Sequence, residues 1–203
     1  QRMSSQTPEV APPRKWRWFT IIGVIFVVIV LVLGTFAGIK IYTDNHTLEK
    51  NQAALEPFYT PPDQIPATPG TIIRTEPLDA DVPGGKGFRV LYTSKGQKGE
   101  PVAVSGMMFV SNKPAPPGGR PVIGWAHGTV GLAPQCAPSR SAKPLQDTND
   151  WLNVAMDRGW AVASTDYLGL GTPGPKTYLI GEQEAADVAN SVRALRNLQP
   201  AHA

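Results

Sequence analysis

The chain has 203 residues, with 20 glycines, 21 prolines, a single cysteine and a formal net charge of +3. Hydrophobic residues make up 41% and charged residues 17%, which excludes a disordered chain, and the lone Cys136 excludes an internal disulfide framework. Part of the positive excess, Arg2, Arg14, Lys15 and Arg17, lies beside an apolar segment. The basicity therefore reads as membrane topology and not as a nucleic-acid surface, and no later basic patch is interleaved with aromatics.

Residues 1–15 are polar, basic and proline-containing, and read as a cytoplasmic tail. Residues 16–42 read as a transmembrane signal-anchor. From 19 to 39 no charge occurs, and at about 1.5 Å per residue the run spans roughly 30 Å, the thickness of a bilayer core. Trp16 and Trp18 flank one end and Tyr42 the other, where interfacial anchors sit. The basic flank comes first, so the N-terminus is expected in the cytoplasm and the remainder outside it. The alternative is a secreted protein cleaved near Ala37, where Thr35-Phe36-Ala37 offers small residues. The apolar run exceeds the roughly 7–15 residues of a signal-peptide core, which favours a retained anchor.

Residues 43–57 read as a juxtamembrane stalk of weak helical character, and Asn45-His46-Thr47 matches a glycosylation sequon close to the membrane. Residues 57–70 are proline-rich and predicted extended. Three strands are predicted over 71–75, 88–94 and 102–111, the last two joined by a turn at 96–99. In the second, Phe88, Val90 and Tyr92 share a face; in the third, Val102, Val104, Gly106, Met108 and Val110 do.

The apolar run 121–126, after the punctuation Pro116-Pro117-Gly118-Gly119, reads as a buried strand opening into His127-Gly128-Thr129. A helix is predicted over 150–158, capped by Thr148 or Asn149 and stopped by Gly159. A strand is predicted over 160–165. The clearest helix covers 182–198, with Ala185, Val188, Val192 and Leu195 on one face, and Glu182 and Glu184 in its first turn. Antiparallel strands followed by strand–helix alternation indicate a mixed sheet with helices on its faces.

The stretch GWAHGTVGLAPQCAPS (124–139), together with STDYLGLG (164–171), resembles the secretory lipase family of α/β-hydrolases, the fungal lipase A-like enzymes and their actinobacterial relatives. The resemblance runs from about 58 to 198. It implies an α/β-hydrolase domain over 58–203 that is incomplete. It further implies acyl-ester or lipid substrates, a serine acyl-enzyme mechanism, and no metal or organic cofactor.

Within that family the loop supplies backbone N–H groups to an oxyanion hole, and Gly128 and Thr129 are the candidates. His127 and Asp166 are expected to brace loops, because base and acid follow the nucleophile in chain order. No G-x-S-x-G pentapeptide occurs in the 203 residues. Nucleophile, acid and base are expected beyond them, and with them the disulfide partner of Cys136. The chain alone is expected to be inactive. The rival reading is a truncated hydrolase-fold module that binds lipid or protein at the membrane without catalysis.

Overall fold

A computed structural model describes residues 14–148 and 150–198. It divides into two compact units, Gln1–Asn51 and Gln52–Ala203. Most of the predicted tail lies outside the described residues.

In the first unit, helix α1 (Arg14–Tyr59) begins and carries the apolar run. It is long and apolar enough to cross a membrane, with a mean hydropathy of 2.9 over its most apolar window and none of that window buried. A core helix of a soluble protein would bury such a face. The hydroxyl of Thr35 donates to the Val32 carbonyl at 2.8 Å, so this polar group is satisfied within the helix.

The second unit opens on the last turns of α1, and here the structure corrects the expected extended path at 57–59. The helix runs through Pro57 to Tyr59. Tertiary packing overrides the local composition: Phe58 and Tyr59 are buried against Leu91 and Ala103, with Leu55, Ile65 and Ile73 around them. Arg140, 5% exposed, receives this helix end. Its guanidinium donates to Gln52 Oε1 (3.0 Å) and Glu56 Oε2 (2.7 Å), and lies 4.4 Å from the centre of the Tyr59 ring.

Five strands form one mixed sheet in the order β1-β2-β3-β5-β4: β1 (Ile72–Pro77), β2 (Gly85–Lys95), β3 (Pro101–Ser111), β4 (Val122–Ala126) and β5 (Ala161–Thr165). The pairs are antiparallel except β4 with β5, which is parallel. Strands β2 and β3 form a long hairpin in register from Gly85↔Ser111 to Lys95↔Pro101. Their alternation separates two cores. Val90, Tyr92, Val104, Met108 and Val110 pack with Ala194 and Leu195 of α3 (Gly181–Asn197). On the other face, Met107 and Phe109 pack with Leu152, Ala155 and Met156 of α2 (Leu152–Asp157).

Both helices differ from their predicted form. Helix α2 starts later than 150 and has no side-chain cap, because its N-cap position is Trp151 and not Thr148, whose hydroxyl donates to the Leu145 carbonyl; Asn149 lies outside the described residues. Helix α3 buries only part of the face predicted for it: Leu195 lies in the core, and Val188 and Val192 are half-buried. Ala185 is exposed, whereas Gln183, Asp187 and Asn190 are buried. This polar stripe is tolerated because each member is hydrogen-bonded: Gln183 to the Lys95 carbonyl (2.9 Å), Asn190 to Ser94 Oγ (3.0 Å), and Asp187 to several donors described below. Val188 and Val192 instead lie over Gly124 on β4, where an added Cβ would come within 3.0 Å of Val192 and 3.1 Å of Val188.

Candidate active site

The parallel register Ala126↔Thr165 brings the C-terminal ends of β4 and β5 side by side. His127 and Asp166, which follow them, therefore leave the same edge of the sheet together. The His127 and Tyr167 rings lie 4.6 Å apart, and the Tyr167 hydroxyl donates to the His127 carbonyl at 3.2 Å. Tyr167 holds a left-handed φ of 67°, and its N–H donates to Thr165 Oγ1 at 3.0 Å.

The His127 Nδ1 is 2.6 Å from the carbonyl oxygen of Gly128. A carbonyl only accepts, so Nδ1 is the donor in this contact, and the other ring nitrogen is Nε2. That Nε2 is buried and has no partner among the described residues. Because the peptide is planar, fixing the Gly128 carbonyl also aims the Thr129 N–H the opposite way. Among the described residues, the N–H groups of Gly128 and Thr129 donate to no protein acceptor. Gly128 and Thr129 are exposed, and the space where a Cβ of Gly128 would project is open to at least 4 Å.

These groups border a cleft of about 150 Å³ between two loops, 127–132 and 167–179. Cys136 stands behind the first loop, half-buried, with its sulfur 2.7 Å from where a Cβ of Gly131 would lie. Gly131 has a φ of +116°, so both the backbone and the sulfur demand glycine there.

Asp166 faces away from solvent and is fully buried. It accepts hydrogen bonds from the Ser139 N–H (3.0 Å), the Ser139 hydroxyl and the Ser105 hydroxyl (2.6 Å). The Ser139 hydroxyl is thus the donor to Asp166, so the Tyr59 hydroxyl, 2.7 Å away, donates to Ser139. Arg89 Nε donates to the Ser139 carbonyl at 2.9 Å and pairs through its guanidinium with Glu76. The carboxylate joins the β3 interior, the loop carrying Ser139 and the end of β5. Gly171 closes against this cluster: a Cβ there would lie 2.2 Å from Ser105 Oγ. Gly171→Ala is expected to lower the unfolding free energy by about 1–3 kcal/mol through overpacking, read by thermal or denaturant melting. An unchanged midpoint would mean that the cluster can move aside.

Asp187 was not singled out from the sequence, yet it is the second organising carboxylate. It accepts from the hydroxyl of Ser94 (2.5 Å), the Leu168 N–H (3.0 Å) and the Gln183 amide (3.0 Å). Its backbone carbonyl accepts from the Tyr92 hydroxyl at 3.0 Å, which leaves Thr165 as the donor to Tyr92. Burial pushes the Asp187 carboxyl above its usual range, against the opposing effect of these hydrogen bonds. Burial likewise pushes the Tyr92 hydroxyl well up, with Asp187 adding to it.

A carboxyl raised in the folded state favours the fold below its unfolded value, near about 3.9, and loses that contribution as pH rises through the folded value. Wild-type stability relative to the non-titrating Asp187→Asn is therefore expected to fall as pH rises above the unfolded value of about 3.9. A gap that moves in favour of the wild type as pH rises would contradict it.

No family model matches the chain, and no curated protein does. Solved structures do. An X-ray structure of Candida antarctica lipase A superposes with a TM-score of 0.61 at 24% identity, covering 71% of this chain and 36% of the lipase. The same lipase in its closed state gives a TM-score of 0.60 at 24% identity, covering 70% of this chain and 35% of the lipase. The rice cell wall degrading esterase LipA from Xanthomonas oryzae gives 0.52 at 24% identity, over 64% of this chain and 38% of the esterase.

The second unit has the α/β-hydrolase fold of lipases and esterases, as predicted. The chain spans little more than a third of the length of the proteins it matches.

Proposed function

We propose that these residues form the oxyanion-loop half of a serine carboxylic-ester hydrolase. Gly128 and Thr129 supply the backbone donors, His127 and Asp166 hold the loops, and the attacking serine comes from sequence outside the 203 residues. The observation that carries this reading is the pair of N–H groups without a protein acceptor, at the end of an outer parallel strand and bordering an apolar cleft. Donors left free beside a cleft can stabilise charge that develops on a bound acyl oxygen. The similarity in fold to lipases and an esterase supports the same chemistry. The uncharged run of α1 supports retention at a membrane, with the hydrolase unit on the extracytoplasmic side. Cys136 is proposed to pair with a cysteine outside these residues.

The complete gene product is expected to hydrolyse short 4-nitrophenyl esters. Thr129→Pro, which removes one donor, should lower kcat by about 10²–10³ with little change in KM. Residues 1–203 alone should give no turnover, since losing an attacking serine costs on the order of 10⁶. Turnover by these residues that is abolished by Ser105→Ala or Ser164→Ala would refute the assignment. So would a Thr129→Pro enzyme that is folded and fully active.

A further inference from the structure

The cleft beside the HGT loop is bridged from wall to wall. Its two walls are tied together by three hydrogen bonds: Lys176 Nζ to the Leu132 carbonyl (2.7 Å), the Thr129 and Tyr178 hydroxyls to each other (2.9 Å), and the Tyr167 hydroxyl to the His127 carbonyl (3.2 Å). A fourth contact holds the far rim. Leu179 has a left-handed φ of 64°, and its N–H donates to Glu184 Oε1 at 3.0 Å. Lys176 and Glu184, the two charged lining residues, are of opposite sign, so the lining carries no net charge to favour an ionic ligand. The remaining surface is largely apolar, with Leu132, Leu168, Leu170 and Leu179 among the lining residues. A cavity of about 150 Å³ with such walls holds a group the size of benzene.

We propose that this cleft is a size-limited subsite for an uncharged apolar group of about six carbon atoms. The proposal rests on the hydrolase reading only for the source of that group, the acyl or the alcohol half of an ester. Cross-linked walls cannot spread for a longer chain without breaking the bonds that also hold Thr129 and the His127 carbonyl. Carbons beyond the sixth would lie in water and add no affinity.

The test separates binding from turnover. The complete gene product, labelled at leucine methyls, is titrated with butan-1-ol, hexan-1-ol, decan-1-ol and hexanoate at measured free concentrations, and the Leu132 and Leu170 signals are followed. Affinity is expected to rise about fourfold per methylene from four carbons to six and to level off by ten. Hexanoate should bind at least tenfold more weakly than hexan-1-ol, and Leu170→Trp should weaken hexan-1-ol at least tenfold. Affinity that keeps climbing to ten carbons overturns the proposal, as does equal binding of hexanoate or unaltered binding by a folded Leu170→Trp protein.

Turnover of methyl esters of lengthening acids, and of acetates of lengthening alcohols, then identifies the source: the series whose kcat/KM stops rising near six carbons occupies the cleft. A plateau in binding without turnover of any ester would overturn the hydrolase reading and leave the subsite standing.

Discussion

A polypeptide beginning at Phe58 is expected to be less stable than one beginning at Gln52 by about 1–3 kcal/mol, the cost of leaving buried donors of Arg140 without partners. The guanidinium of Arg140 is the reason. It is buried, and two of its hydrogen-bond partners, Gln52 and Glu56, lie N-terminal to Phe58. Removing them leaves a desolvated cation with only the Gly171 carbonyl (3.1 Å) and the Tyr59 ring. The loss should spread to the site, because the neighbouring Ser139 is bonded to Asp166 and to Tyr59. Urea unfolding of the two truncated forms measures the difference, and the double variant Gln52→Ala/Glu56→Ala in the full chain gives an independent reading. Equal stability of the two forms would show that the end of α1 is a dispensable connection.

Asp166→Ala should be more damaging, at about 3–5 kcal/mol. The change strands three buried donors at once, the Ser139 N–H and the hydroxyls of Ser139 and Ser105. Asp166→Asn should cost much less, about 1–2 kcal/mol, since the amide oxygen keeps one acceptor and both hydroxyls can rotate to accept from its NH₂. The ranking separates a bracing carboxylate from a reacting one. In the complete gene product, activity lost in Asp166→Asn without loss of stability would identify a chemical role for the charge and sink the bracing role.

Strands β4 and β5 were legible in the sequence as short apolar runs after glycine and proline punctuation, and β2 and β3 through apolar residues recurring at alternate positions, such as Phe88, Val90 and Tyr92. The HGT loop was legible as a motif at a strand end. What escaped was polar burial. Asp187, Gln183 and Asn190 look like the wet side of an amphipathic helix, and only the tertiary structure places Ser94 and the Leu168 N–H against them. Helical continuity through Pro57 escaped for a related reason: the docking of Phe58 and Tyr59 onto Leu91 and Ala103 is a long-range effect that local composition does not contain. Ser139 was part of the family-like stretch, but its bonds to Asp166 join segments far apart in sequence.

The strand order carries a consequence for biosynthesis. Strand β5 lies between β3 and β4, although β4 is translated first. When residues 122–126 leave the ribosome, their neighbour in the finished sheet has not yet been made, and the exposed edge of β3 belongs to a later segment. The β2–β3 hairpin can close from contiguous sequence, but β4 must wait until residues 161–165 are available and inserted. The Tyr167 hydroxyl can reach the His127 carbonyl only when Thr165 comes to lie beside Ala126. The anchored HGT loop is therefore a late product of assembly, finished after the scaffold on which it stands.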